Sequence, residues 1–283
     1  MELGPKLPPA GFVDLPGRGR TWVYDSRAGD EPAVVLLHGW TSTAALTWYR
    51  TFPALAERGR VVALDHRGHG RGVRSRLPFQ LEACAEDVAE LIRVLDLEAP
   101  TVVGYSMGGP VAQLLARRHP ELVGGLVLCA TAARFRNRSQ GTALRGAVGL
   151  GTSLAISFLP GSVRQRGMDA ATRRWQANNS AAAWAVAEWR RHDPAALIQA
   201  GLALSRFDST GWVSSIDAPT AVVVSTGDTT VSPHSQLSLA ESIPGATVHR
   251  VAGEHRVCVD VPDLFVPALL EACDSVESRA RAA

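Results

Sequence analysis

The chain contains little cysteine, almost no lysine and no apolar leader near its start. Its four cysteines are scattered over 283 residues, at positions 84, 129, 258 and 273. Such spacing is not that of a disulfide framework, so we expect reduced thiols. The stretch from Met1 to Tyr24 holds several prolines and glycines but no apolar core, so it predicts no secretory signal. Together these features predict a cytoplasmic protein.

Patterns that hold metals or cofactors are also missing. The eight histidines include no His-x-x-x-His helix with a third partner, and the loop of His66 and His69 is a glycine-rich turn. No Gly-x-Gly-x-x-Gly opens a helix after the first predicted strand. We therefore expect no metal and no cofactor. The net charge of +2 indicates no nucleic-acid partner for the chain as a whole.

Apolar residues, by contrast, suffice for a large core. They make up 46% of a chain whose length is near the size at which a single core gains a subdomain. The stretch from Gly141 to Gly161 is apolar, but Arg145 and several glycines interrupt it, and its uninterrupted run is too short to cross a membrane. A pair of lid helices over a pocket is the better interpretation.

The most informative motif is Gly104-Tyr105-Ser106-Met107-Gly108. It follows the apolar run Thr101 to Val103 and precedes a helix-like segment, Pro110 to Arg118, so Ser106 is placed on a strand-to-helix turn. This is the context that a Gly-x-Ser-x-Gly nucleophile elbow requires. The glycines allow the serine a strained conformation that exposes its Oγ. Taken alone, the motif is equally compatible with an ordinary glycine-rich connection, so other segments have to decide.

A buried strand precedes the elbow, at Ala33 to Leu37, and leads into His38-Gly39-Trp40. A backbone N–H just after such a strand can point at the same spot as the N–H of the residue that follows the nucleophile. We therefore assign an oxyanion hole to the N–H groups of Trp40 and Met107. His38 is expected to hold this loop rather than to act as a base.

Two further segments follow the elbow. The β-branched run Thr220 to Ser225 ends in a loop that carries Asp228, and the last predicted strand, Ala246 to Val251, leads to His255. The order serine, aspartate, histidine is the one expected of a nucleophile, acid and base on a strand–helix architecture, and it differs from the order in other serine hydrolase folds. Glu254, beside the predicted base, is either solvent-facing or tunes that base.

Taken together, these residues resemble the α/β-hydrolase superfamily. The resemblance rests on H-G-W, D-H-R-G-H-G, G-Y-S-M-G-G, the strand-end G-D and the late histidine, over about residues 32–130 and 218–272. It implies an α/β fold with a mostly parallel, twisted sheet flanked by helices. It also implies a core of residues 1–133 and 214–283 and a helical cap of residues 134–213. Related epoxide hydrolases and haloalkane dehalogenases carry aspartate at the elbow, so Ser106 excludes them.

The predicted cap is strongly basic. Between Arg134 and Arg191 lie ten arginines and only two acidic residues, Asp169 and Glu188, a net charge of +8. A basic cap beside an apolar stretch suggests contact with anionic lipid surfaces or with phosphate-bearing acyl donors. The alternative is a solvated arginine surface in a chain whose only lysine is Lys6.

The resemblance implies an enzyme, a serine-dependent hydrolase of the carboxylesterase or lipase type. Its substrate would be a small-molecule carboxylic ester, with acylglycerols and thioesters as candidates, cleaved through an acyl-enzyme on Ser106. Trp40 and Tyr105 are expected to contact the substrate. Three alternatives stay open: a cofactor-independent haloperoxidase or perhydrolase, an acyltransferase, and a ligand sensor that retains a slow triad.

Overall fold

The computed structural model describes residues 4–27, 33–135, 156, 159, 161–177 and 183–282. These residues contain an eight-stranded sheet. Its strands, in chain order, are β1 (Ala10–Leu15), β2 (Gly19–Asp25), β3 (Val34–Leu37), β4 (Val61–Leu64), β5 (Thr101–Tyr105), β6 (Gly125–Cys129), β7 (Thr220–Ser225) and β8 (Thr247–Val251). Their order across the sheet is β1-β2-β4-β3-β5-β6-β7-β8. Strands β3 to β8 are parallel, and the β1–β2 hairpin joins them antiparallel through β4.

The central parallel strands are buried along their whole length. Every residue of β3 to β7 is buried, which is the pattern of parallel strands covered on both faces by helices. In β8 and β1, at the two edges, exposed and half-buried residues alternate instead. The predicted strands before and after the elbow are thus confirmed, with ends that differ by a residue or so.

The described helices lie on both faces of the sheet. They are α1 (Ala44–Trp48), α2 (Phe52–Ala56), α3 (Leu81–Val94), α4 (Gly108–Arg118), α5 (Gly161–Ala177), α6 (Ala183–Trp189), α7 (Pro194–Arg206), α8 (Pro233–Ser242), α9 (Val257–Asp260) and α10 (Pro262–Ala280). Helices α3, α4 and α8 pack on one face, and α1, α2 and α10 on the other. None of the described helices is both long and apolar enough to cross a membrane.

Helices α5, α6 and α7 connect β6 to β7, and we call them the connecting helices. The strand–helix alternation stops in this stretch, because its described residues add no strand to the sheet, only an isolated bridge between Arg134 and Asp208. Helix α7 begins at Pro194, with the Asp193 carboxylate accepting the N–H of Ala195 at 2.9 Å. Most of the apolar stretch predicted to form lid helices lies outside the described residues. The cap boundaries at 134 and 213 stay a prediction.

Candidate active site

Ser106 lies on the turn between β5 and α4, in a strained backbone conformation. Its φ is +50°, a region that non-glycine residues rarely adopt. Three hydrogen bonds hold the turn: the Ser106 N–H donates to the carbonyl of Cys129 at 2.9 Å, and the Ser106 carbonyl accepts from the Gly109 N–H at 2.9 Å and the Thr131 hydroxyl at 2.8 Å. Strain of this kind persists where the surroundings enforce it, and functional sites are its usual location.

The elbow glycines are required by close backbone approach. A Cβ on Gly104 would lie 2.4 Å from the carbonyl oxygen of Gly108, and one on Gly108 would lie 2.3 Å from the carbonyl oxygen of Leu37. No side chain is tolerated at such distances from backbone atoms. The two glycines are therefore required where β5, β3 and α4 pack closely against one another. This close packing places Ser106 on the turn between β5 and α4.

Ser106, His255 and Asp228 are hydrogen-bonded in a row. The Ser106 Oγ lies 3.0 Å from His255 Nε2, and His255 Nδ1 lies 2.7 Å from Asp228 Oδ2. Since the carboxylate only accepts, Nδ1 carries the imidazole proton and Nε2 is left to accept the serine hydroxyl proton. The chain places these residues after β5, β7 and β8, so parallel strands bring together side chains up to 149 positions apart.

Asp228 is a buried carboxylate with a full set of donors. Its Oδ1 accepts the N–H groups of Thr230 and Val231, both at 2.8 Å. Its Oδ2 accepts the Gln236 Nε2 amide at 3.1 Å besides facing His255. These donors hold the carboxylate in one orientation, with its second oxygen aimed at the imidazole.

The N–H groups of Trp40 and Met107, predicted as oxyanion donors, belong to two backbone segments close to Ser106. Met107 follows the serine in the chain, and Trp40 follows Gly39, where an added Cβ would lie 3.3 Å from the Ser106 Cβ. In the part of the chain that the structure describes, neither N–H is bonded to a protein acceptor. Their role as oxyanion donors stays a prediction.

His38 holds the loop that carries Trp40, as predicted. Its Nδ1 bonds the carbonyl of Gly39 at 2.8 Å, and its Nε2 accepts the N–H of His66 at 2.9 Å. Complete burial lowers the pKa of His38 to about 4, so the ring is neutral and contributes shape and hydrogen bonds. The rings of His66 and His69 pack beside it, at 4.4 and 5.4 Å between centroids. Across the described ranges, no three His, Cys, Asp or Glu side chains are grouped to hold a metal ion.

Ser106 and His255 open onto a cavity of about 780 Å³, a size typical of small-molecule sites. The two predicted substrate contacts, Trp40 and Tyr105, both line it. Apolar walls come from Leu46, Val259 and the two tryptophans of α6, and polar side chains lie at Thr41, Ser42, Thr47, Thr230, Glu254, Arg256 and Asp260. The connecting helices thus contribute aromatic surface to a cavity whose reactive groups belong to the sheet.

Two positioning contacts escaped the sequence analysis. Gln236, on α8, is buried and links Asp228 to β7, because its Oε1 accepts the Ser225 N–H at 3.0 Å. The Tyr105 hydroxyl donates to the carbonyl of His255 at 2.6 Å and so holds the histidine loop. No sequence motif signals either contact.

Two further residues near His255 in the chain are Cys258 and Glu254, the latter predicted to be either solvent-facing or a tuning group for the base. Cys258 is both packed and adjacent to the cavity: it is buried yet among the lining residues. Burial raises the pKa of its thiol to about 12, which leaves it protonated and a poor nucleophile. The Glu254 side chain is exposed and accepts the Thr229 hydroxyl at 3.1 Å. It makes no described bond to His255.

Comparison of the chain with known proteins identifies its family. The family model described as alpha/beta hydrolase fold matches residues 32–261. An uncharacterized protein of Mycobacterium tuberculosis is 40% identical over 101 residues, 36% of this chain and 29% of that protein. A pimeloyl-[acyl-carrier protein] methyl ester esterase of Aeromonas hydrophila is 36% identical over 135 residues, 47% of this chain and 51% of that protein. The matches thus span at most about half the length of these relatives.

A solved structure agrees with the family at the level of fold. A hydrolase from Pseudomonas aeruginosa superposes with a TM-score of 0.75 at 23% identity, covering 93% of this chain and 97% of that one. The chain belongs to the α/β-hydrolase fold family, a family of hydrolases.

Proposed function

We propose that this protein is a serine hydrolase that cleaves carboxylic esters of small molecules through an acyl-enzyme on Ser106. The observation that carries the proposal is the hydrogen-bonded row from Ser106 through His255 to Asp228, open to a cavity of about 780 Å³. A strained serine, an imidazole nitrogen within hydrogen-bond distance of its hydroxyl and a buried carboxylate in this order are what nucleophilic acyl transfer needs.

In the first half-reaction, His255 Nε2 takes the proton of Ser106 as its Oγ attacks the ester carbonyl carbon. The carbonyl π electrons move to the oxygen, and a tetrahedral intermediate forms. When that intermediate collapses, the C–O bond to the alcohol breaks, and His255 gives its proton to the leaving alkoxide. The acyl group is then an ester of Ser106. Asp228 keeps the imidazole in the tautomer that this cycle requires.

In the second half-reaction, water takes the place of the alcohol. His255 removes a proton from water as its oxygen attacks the acyl carbon, and the collapse of the second intermediate returns the proton to the Ser106 Oγ. Carboxylic acid and free serine result. In both intermediates the N–H groups of Trp40 and Met107 would donate to the oxyanion. Loss of one such donor costs on the order of 10²–10³-fold in turnover.

The cavity favours an uncharged ester with an apolar portion. Trp184 and Trp189 from α6 and Leu46 from α1 offer apolar surface, whereas Glu254, Arg256 and Asp260 add charges of both signs. Arg256 and Asp260 are paired with each other at 3.0 Å. With these two charges paired mutually, Glu254 is the remaining charged side chain of the described lining, and it disfavours a strongly anionic substrate.

We further propose that residues 134–213 act as a cap over this cavity. Contact of that cap with anionic lipid is the less favoured extension. Among its described arginines, Arg134 pairs with Asp208 at 2.8 Å and Arg190 with Asp169 at 2.7 Å, while Arg191 pairs with Glu188. Pairing reduces the charge that the segment can offer to a membrane, so a dispersed, water-soluble ester is the expected substrate form.

The test compares the parent protein with Ser106→Ala on p-nitrophenyl esters of increasing acyl length. The parent should turn over esters, and Ser106→Ala should lose turnover by several orders of magnitude while keeping its melting temperature, because alanine removes only the hydroxyl. Activity of the variant within about tenfold of the parent would contradict the serine mechanism. Addition of peroxide, or of an alcohol acceptor, in the same series would reveal perhydrolysis or acyl transfer. A single burst without turnover would indicate a sensor.

A further inference from the structure

The indole of Trp40 is seated in a notch of α7. Its Nε1 donates to the carbonyl oxygen of Leu197 at 2.8 Å, across 157 positions of the chain. The notch exists because residue 201, one helical turn after Leu197, is glycine. A Cβ there would lie 2.6 Å from Trp40 Cζ2 and 3.0 Å from its Cη2. The contact therefore joins the loop beside Ser106 to α7, one of the connecting helices between β6 and β7.

Gly201 serves this contact in two ways. A helical side chain covers the turn on the N-terminal side of its own Cα, so any side chain at position 201 would lie over the Leu197 carbonyl. Its absence opens both the space for the indole and the oxygen that the indole N–H needs. A carbonyl oxygen has two lone pairs, so Leu197 can serve the helix and Trp40 together.

The loop around Trp40 requires such support. Thr41, the next residue, has φ +56°, an outlying conformation for a β-branched side chain. Gly39, the preceding residue, has no side chain to restrict its own torsions. The peptide N–H of Trp40 thus sits between a strained residue and a permissive one, and the Trp40 side chain in the notch restrains its orientation.

We propose that Gly201 and the Leu197 carbonyl are positioning groups for the oxyanion hole, acting through the Trp40 side chain on the Trp40 N–H. The inference rests on the proposed serine mechanism and adds to it a dependence of transition-state stabilisation on helix α7. Misplacement of a catalytic group by about 1 Å can cost on the order of 10²-fold in rate, so a shift of the indole should appear in kcat.

The experiment is a double-mutant cycle of Gly201→Ala and Trp40→Phe. Gly201→Ala should lower kcat about tenfold or more with KM changed less than about threefold, since the ground state does not use the hole. Its affinity for phenylboronic acid, whose serine adduct places an oxygen in the hole, should fall by a similar factor. Phenylalanine lacks the atoms nearest position 201, so in the Trp40→Phe background the alanine should have little further effect on either quantity. Gly167→Ala, a helix glycine whose added Cβ would meet nothing within 4 Å, is the matched control.

Each outcome decides. An equal loss of kcat from Gly201→Ala in both backgrounds, or a folded Gly201→Ala with unchanged kcat and boronate affinity, would overturn the inference while ester turnover still depended on Ser106. If Gly201→Ala fails to fold, Trp40→Phe alone decides, and unchanged kcat and boronate affinity would overturn it. Turnover that survives Ser106→Ala would instead overturn the serine mechanism, and this inference with it.

Discussion

At the scale of the residue, Asp228 is distinguished from the other carboxylate near His255 by its surroundings. Asp228 is buried and accepts four hydrogen bonds, from Thr230, Val231, Gln236 and His255. Glu254 is adjacent to His255 in the chain, yet its side chain is exposed and bonds Thr229. Closeness in sequence to His255 therefore does not identify the carboxylate that bonds it, whereas a position just after a core strand does.

Asp228→Asn should lower kcat/KM by several orders of magnitude, on the order of 10⁴-fold. The amide keeps the shape of the carboxylate but allows the imidazole the tautomer that cannot accept the serine proton. Steady-state ester hydrolysis with a thermal melt on each variant measures this. Glu254→Gln should cost at most about tenfold. The reverse order of the two effects would show that Glu254 orients the base.

At the scale of the element, the elbow is specified by its packing. The helix α4 starts where Gly108 touches the backbone of Leu37, so β3, β5 and the helix meet without intervening side chains. Gly11, on edge strand β1, has nothing within 4 Å of an added Cβ. The two glycines therefore offer a matched comparison between a crowded and an open position.

Gly108→Ala should destabilise the fold by about 1–3 kcal/mol or more, because backbone atoms have to move to admit the methyl group. Gly11→Ala should change the free energy of unfolding by no more than about 0.5 kcal/mol. Urea denaturation of the two variants checks this. Similar stabilities for both would mean that the elbow tolerates a side chain, against the geometry described.

The β1–β2 hairpin shows where sequence patterns fall short at this scale. The sequence analysis assigned no strand to the first 24 residues, yet residues 10–25 form two strands. The turn between the two strands uses Gly17 and Gly19, both at positive φ, so these glycines close the hairpin. Leu15 and Val23, the apolar residues of the hairpin that pack into the core, are buried against residues distant in sequence. No local sequence pattern reveals such contacts.

The candidate site also contains residues that the sequence pattern places and contacts that it does not. Ser106, Asp228 and His255 follow strands whose apolar runs are visible in the sequence, so the parallel sheet brings them to one edge. The Gln236, Tyr105 and Gly201 contacts depend on side chains meeting across the fold and carry no motif. Periodicity specifies the sheet and the ends of its strands, whereas it says nothing about which helix lies beside which loop.

At the scale of the whole molecule, buried histidines make the fold sensitive to acid. Burial lowers the pKa of His38 to about 4 and that of His69 to about 3. The pKa values of His66 and His192 are also well below the ordinary value, again chiefly through burial. These rings stay neutral in the folded protein at a pH where the unfolded chain already takes up protons.

The free energy of unfolding should therefore fall as the pH drops. This contribution is fully present above about pH 6.5, where histidine is neutral in both states, and is lost progressively toward pH 4, by up to about 1.4 kcal/mol per pH unit for each such histidine. Urea denaturation at about pH 7, 6 and 5 gives the slope. His69→Gln should reduce it, and His234→Gln, on the exposed face of α8, should not. A stability independent of pH over this range would contradict the burial of these rings.

The central claim is that Ser106 forms a covalent acyl intermediate, and covalent labelling tests it most directly. The Oγ of an activated serine attacks the phosphorus of a fluorophosphonate and displaces fluoride, which leaves a stable phosphonate ester on the serine. Intact-mass spectrometry followed by peptide mapping should show one adduct per chain, on Ser106, formed with loss of ester turnover, absent from Ser106→Ala and slowed in His255→Ala. An adduct on another residue, or full labelling of Ser106 with ester turnover unchanged, would contradict the account.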